Sequence, residues 1–242
     1  MPKSYFQFKQ FIIYQDKCAM KVCTDACILG AYAEVAEVNK ILDIGTGTGL
    51  LSLMLAQRSK ATIDAVEIDN DAHTQAKVNI TESPFADSIR LYHQSIQDFS
   101  QQRSGSEDKG YDLIISNPPF YQNSLQSPDH QTNKALHAAT LTFDELLDAV
   151  MSLLSPDGQF IVLLPPFEAQ QLATVAQKKG LYLCAKLLIR HNPQKSVFRH
   201  ILSFSKMPVS AYTEDILVIH EKNTSGYSDK FRLLLSDYYT IF

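Results

Sequence analysis

No stretch of this 242-residue chain is apolar for the roughly 18 residues that a membrane-spanning helix needs. The longest apolar run, FIVLLPPF at 160–167, is eight residues and is interrupted by prolines. The N-terminal MPKSYFQFKQF lacks the apolar core of a secretory signal. Cysteine is scarce: four residues make no disulfide framework in a chain this long, which points to a reducing cytoplasm. Three of them, Cys18, Cys23 and Cys27, lie close together, with the fourth remote at 184. Zinc usually takes four ligands, often from a tight C-x-x-C pair. No metal is therefore expected, and the cysteines read as small buried hydrophobes. Internal repeats, low-complexity stretches and a Pro/Gly/Ser linker are also missing, so one domain over 1–242 is expected. At 45% hydrophobic and 20% charged residues, the chain can bury a sizeable core.

Acidic residues are missing from one long segment. Between Ala169 and Thr213 there is no Asp or Glu, although the chain has 26 of them and a net charge of −4. Seven basic residues lie there: Lys178, Lys179, Lys186, Arg190, Lys195, Arg199 and Lys206. Such asymmetry marks either a basic face for a polyanion or an ordinary solvated surface.

What is present is a strand–helix alternation. FQFKQFIIYQ and CAMKV read as a strand pair turning at Asp16-Lys17, followed by a helix capped by Thr24 or Asp25. From Lys40 onward, KILDI, TIDAVEI, IRLYHQ, YDLIIS and QFIVLL read as strands. LLSLMLAQ, NDAHTQAKVNITE (opened by Asn70 or Asp71), TFDELLDAVMSLL and EAQQLATVAQKKG read as helices. QQRSGSEDKG reads as a polar loop, SPDG as a helix stop, and LYLCAKLLIR with SVFRHILSFSK as a closing antiparallel hairpin. The expected fold is α/β and Rossmann-like: a mostly parallel sheet, helices on both faces and a C-terminal antiparallel hairpin. The polar, aperiodic segment 121–140 is a long connection of the kind that is often functional.

The first core strand ends in LDIGTGTG. Gly45, Gly47 and Gly49 let a turn approach a ligand closely. The spacing G-x-G-x-G differs from the dinucleotide fingerprint, which would need glycine at 50, where Leu stands. Asp43 at the strand tip disfavours a pyrophosphate and suits a cation, which points to S-adenosylmethionine with its ammonium and sulfonium. Glu67 ends the next strand and can accept two ribose hydroxyls. Asp98, after the third, can accept from an adenine amino group. Four acidic or glycine features, each at a strand end, carry this reading together.

The fourth strand runs into Asn117-Pro118-Pro119-Phe120. At average residue usage, Asn-Pro-Pro-aromatic occurs roughly once in 10⁵ positions, so chance explains it poorly. An exocyclic amine on a nucleobase is a weak nucleophile, because its lone pair is delocalised into the ring. Two acceptors, one per N–H, favour a pyramidal nitrogen and aim the lone pair. The Asn117 side-chain oxygen and the Pro118 carbonyl supply them. Both prolines hold φ near −65° and add no competing N–H, and Phe120 can stack on the base.

These motifs resemble the class I S-adenosylmethionine-dependent methyltransferases. With FKQFIIYQDKCAMKVCTDACILGAY at the N-terminus and YSDKFRLLLSDYY near the C-terminus, the chain is similar over nearly its whole length to the bacterial tRNA1(Val) adenine-N6-methyltransferase family. The resemblance implies methyl transfer to N6 of adenosine 37. It places Asp43, Gly45, Gly47, Gly49, Glu67 and Asp98 at the cofactor and Asn117, Pro118, Pro119 and Phe120 at the base. Through the MKVCTD segment it also puts Lys21, Thr24 and Asp25 at the methionine end. Cys23 stands where that family more often has glycine. Residues 1–38 would cover the cofactor site and 39–242 would form the catalytic core, with tRNA across 169–213 and the 121–140 loop. A monomer is favoured. The alternatives are methylation of another RNA base amine or of a protein glutamine amide. Glutamine methyltransferases share the Asn-Pro-Pro-aromatic motif but usually carry a helical domain before the glycine loop, where this chain has about 40 residues.

Overall fold

The computed structural model describes residues 4–18, 21–103, 110–119, 141–222 and 226–242. A strand covered on both faces is apolar over most of its length, and the core strands fit: β3 (Lys40–Ile44), β4 (Thr62–Glu67), β6 (Tyr111–Ser116) and the later part of β7 (Leu154–Leu164) are almost entirely buried. With β5 (Ile89–His93), β8 (Tyr182–Arg190), β9 (Val197–Ser205) and β10 (Thr213–Val218) they form one eight-stranded sheet in the order β10-β8-β9-β7-β6-β3-β4-β5. Every neighbouring pair is parallel except those made by β9, which is antiparallel to both β7 and β8. The expected parallel sheet with an antiparallel C-terminal hairpin is therefore present.

Helices α1 (Thr24–Tyr32), α2 (Leu50–Arg58), α3 (Asn70–Thr81) and α7 (Asp229–Leu235) pack on one face. Helices α4 (Ile96–Arg103), α5 (Phe143–Leu153) and α6 (Pro166–Lys178) cover the other. Helix α5 opens with a reciprocal cap, Glu145 N–H donating to Thr142 Oγ1 (3.2 Å) and Thr142 N–H to Glu145 Oε2 (2.9 Å). Besides Asp43 on β3, an acidic residue lies deep in the sheet at Asp64 on β4, 1% exposed. It accepts from the Tyr111 hydroxyl at 2.6 Å and pairs with Arg103 at 3.2 Å, as a buried carboxylate requires.

Several elements differ from the sequence expectation. The N-terminal pair is β1 (Tyr5–Gln7) with β2 (Ile12–Tyr14), and it turns at Phe8–Phe11, where Phe8 N–H donates to Phe11 O, rather than at Asp16-Lys17. CAMKV forms no strand among its described residues. Cys23, not Thr24 or Asp25, is the N-cap of α1, with no side-chain cap. Asp69, one residue before the expected cap, closes the start of α3 by accepting from Asp71 and Ala72 N–H. IQDFSQQR is helical as α4, which takes Gln101–Arg103 out of the expected polar loop, although only Ile96, Phe99 and Ser100 are buried there. SPDG is part of β7 rather than a break. The edge strand β10 and helix α7 add a segment beyond the hairpin. Among the described residues, no helix is long and apolar enough to cross a membrane.

Candidate active site

Ligands of open α/β sheets sit outside the carboxyl ends of the strands, where the strand order reverses. Here that point lies between β3 and β6, because the chain leaves β3 for β4 on one side and returns to β6 on the other. Ser116 is paired with Ile44, and its hydroxyl donates to Ile44 O at 2.9 Å. Asn117 therefore emerges directly beside Gly45.

The loop after β3 is built around Asp43, which is fully buried. Its Oδ2 accepts from Thr46 Oγ1 at 2.6 Å and from Ser52 Oγ at 2.7 Å. Its Oδ1 is buried and has no hydrogen-bond partner among the described residues. Burial raises the Asp43 carboxyl to about 6, against the opposing effect of the two hydroxyls. Gly45 and Gly47 have φ of +71° and +59°, a region costly for residues with a Cβ. A Cβ on either would meet nothing within 4 Å, so the cradle they form is open. Gly49 ends the loop as the N-cap of α2.

Glu67 stands at the end of β4, 7% exposed. Its Oε2 accepts from Gly47 N–H at 2.8 Å and its Oε1 from Asp69 N–H at 2.9 Å. A carboxylate has about four acceptor positions, so roughly two stay available for hydroxyls. Ile68, next along the chain, is 64% exposed. Its carbonyl lies 3.2 Å from His93 Nε2, and His93 stacks on His73 at 4.6 Å. An apolar side chain held out beside hydroxyl acceptors suits a flat ring. Asp98 is exposed at the first turn of α4, and its Oδ2 accepts from Ser95 Oγ at 2.6 Å. It shares the carboxyl edge but lies beyond β5, two strands from β3.

On β6's side, Asn117 is half-buried, Pro118 buried and Pro119 exposed. Asn117 Oδ1 is itself buried and has no hydrogen-bond partner among the described residues. Phe120 and the 121–140 loop lie outside the described residues. In the MKVCTD segment, Lys21 Nζ donates to Gln15 O and, at 3.3 Å, to Cys18 O. Thr24 is exposed, and Asp25 pairs with Arg199 of β9 at 2.8 Å. Cys23 has φ −124° and ψ 152°, extended backbone open to any L residue, so the usual glycine is not needed there. Cys18 and Cys27 are buried, and burial pushes the Cys27 thiol up to about 12.

The sequence reading missed Thr46, Ser52 and Ile68. A hydroxyl three and nine residues after Asp43, and an apolar residue straight after Glu67, were the signals. It also missed Asn79 and Gln75 of α3, which look like a solvent face but are 1% and 2% exposed. Asn79 exchanges two hydrogen bonds with the Tyr14 backbone, both 2.9 Å, and donates to Thr48 O at 2.8 Å. Gln75 Oε1 accepts from Lys17 N–H at 3.1 Å. The N-terminal hairpin and the glycine loop are thus tied to one helix.

Residues 28–178 match the model of the methyltransferase small domain family. The chain belongs to that family. A curated relative from Dyadobacter fermentans, named tRNA1(Val) (adenine(37)-N6)-methyltransferase, is 46% identical to this methyltransferase, and the match covers all of both chains. One of the same name from Bacteroides fragilis is 41% identical over 99% of each. Among solved structures, one described as a predicted O-methyltransferase from Agrobacterium tumefaciens superposes with a TM-score of 0.67 over 88% of this chain and 96% of its own, at 18% identity, a likeness of fold alone. S-adenosylmethionine is the methyl donor of such enzymes. The residues present fit it: a buried carboxylate oxygen with no hydrogen-bond partner among the described residues, suited to a cation, an open glycine cradle, and a carboxylate with acceptor capacity left.

Proposed function

We propose that this methyltransferase transfers a methyl group from S-adenosylmethionine to the N6 amine of an adenine in tRNA, at adenosine 37 of tRNA1(Val). The observation that carries the chemistry is the buried Oδ1 of Asn117, without a hydrogen-bond partner among the described residues, beside the open glycine cradle. The names of the full-length relatives support the choice of substrate.

Asp43 Oδ1 would accept from the donor's ammonium, Glu67 from its ribose hydroxyls and Asp98 from its adenine amino group, with Lys21, Thr24 and Asp25 at the methionine end. The bound sulfonium supplies the electrophilic methyl group. Asn117 Oδ1 and the Pro118 carbonyl each take one N–H of the target amine and turn its lone pair out of the ring. Attack comes first and the proton leaves afterwards, so no strong base is required of the chain. Pro118 and Pro119 would keep this acceptor pair rigid, and Phe120, by its place in the motif, would cover the base. Residues 1–38 would close over the cofactor. The target adenine, already in a loop, is cheaper to unstack than one in a duplex.

Incubation with labelled S-adenosylmethionine and separate pools of unmodified tRNA, ribosomal RNA, DNA and protein tests this reading. The expected product is N6-methyladenosine in the tRNA digest. Label confined to another base, or to glutamine in protein, would overturn it.

A further inference from the structure

We infer that the bulged tip of the β8–β9 hairpin is a stacking ledge for an unpaired nucleobase that flanks the target adenine. The inference rests on the proposed action on RNA.

The hairpin register steps from Ile189↔Arg199 to Arg190↔Val197, which leaves Phe198 unopposed. Such a bulge re-aims the extra side chain and is common beside functional sites. The Phe198 ring packs against the core cluster that holds α1 and α7, anchoring it from within. His191, just past the end of β8, lies flat on it, with ring centroids 3.9 Å apart and planes 8° from parallel. The Arg199 guanidinium sits 5.5 Å from the same ring. Phe198 is half-buried and His191 exposed, so the stack is fixed from below and open above.

The tip lies on the carboxyl edge that carries Asn117. Ser116 of β6 pairs with Val162 of β7, and Leu164 of β7 pairs with His200 of β9, two residues from Phe198. At strand spacings of about 4.8 Å and a rise of about 3.3 Å per residue, Phe198 is on the order of 10–15 Å from Asn117. The surroundings are cationic. Arg190 Nε is buried with no hydrogen-bond partner among the described residues, and Lys195 is exposed in the same tip. Asp25 is taken up by Arg199, and Glu221 is the one acidic residue next in sequence to His220, whose N–H donates to His191 O at 2.9 Å. An exposed flat ring among cations suits the face of a base with its phosphate nearby.

The test compares wild type, His191→Ala and His191→Phe. With tRNA as the varied substrate, His191→Ala should raise the RNA KM roughly five- to hundredfold. It should leave the cofactor KM and the thermal midpoint unchanged, and His191→Phe should restore the wild-type RNA KM. Equal RNA KM in all three, or no rescue by Phe, overturns the ledge. Direct binding of a single-stranded RNA oligonucleotide needs no methyl transfer and separates the two proposals. Binding weakened by His191→Ala alone supports the ledge even if wild type methylates no RNA, a result that would sink the reaction assignment instead. Failure of wild type to bind the oligonucleotide overturns the ledge.

Discussion

Asp43 is held as a buried carboxyl group with one oxygen solvated by two hydroxyls and the other without a hydrogen-bond partner among the described residues. Its folded value of about 6 lies above the ordinary 3.8. Its contribution to stability is therefore fully present below pH 3.8 and is lost as pH rises through 6. Binding a cation has the opposite requirement, because only the ionised form pairs with an ammonium. Calorimetry between pH 5 and 8 should show the affinity for S-adenosylmethionine falling toward tenfold per pH unit below about 6. Asp43→Asn should bind weakly and show no such bend; an unchanged bend would refute the assignment. Asn117 makes a contrasting case: its Oδ1, without a hydrogen-bond partner among the described residues, is proposed to accept from the acceptor substrate and not from the donor. Asn117→Ala should leave the calorimetric cofactor affinity intact and lower methyl transfer about 10²–10³-fold, the usual scale for one lost transition-state hydrogen bond. Near-normal turnover would remove Asn117 from the mechanism.

Helix α3 connects two pieces of chain that neither contact alone would fix. Asn79 acts toward Tyr14 as a neighbouring strand's backbone would, and its second N–H holds the carbonyl of Thr48 in the glycine loop. Removing it strands buried backbone groups at a cost of about 1–3 kcal/mol each. Asn79→Ala should thus lower the denaturation midpoint and speed hydrogen exchange at the Tyr14 amide. Exchange there as slow as in wild type would show that the clamp is dispensable. The parts of this architecture visible in the sequence were those where period and burial agree: KILDI, TIDAVE and YDLIIS read as strands because both faces are covered. Their tips gave up Asp43, Glu67 and Asn117 for the same reason, as polar residues ending apolar runs. The hidden parts lack that agreement. Helix α4 buries three residues of eight, and β10 is exposed over its first four positions. Asn79 and Gln75 carry long-range bonds on what looks like a polar face. The Phe8–Phe11 turn has no glycine, proline or asparagine to announce it.

The run without acidic residues does not form a single surface once it is folded. Helix α6 runs back from the carboxyl edge to the amino edge, leaving Lys178 and Lys179 far from Asn117, and Lys206 at the end of β9 donates to Leu154 O at the same remote edge. Lys179 is engaged by Asp144 and Asp148, and Lys186 by Glu214. The basic groups of this segment at the site's own edge are Arg190, Lys195 and Arg199, the last paired with Asp25. On a chain with a net charge of −4, an RNA partner would meet a local cationic rim rather than a broad positive field. RNA affinity should still fall with salt, by a slope of about 0.7 per single-strand phosphate contact. Lys195→Ala should weaken binding severalfold and flatten that slope by about one contact, while Lys178→Ala should change neither. Equal effects from the two variants would move the RNA path across the helical face of α6 and away from the hairpin tip. An affinity flat in salt would discard the cationic rim altogether.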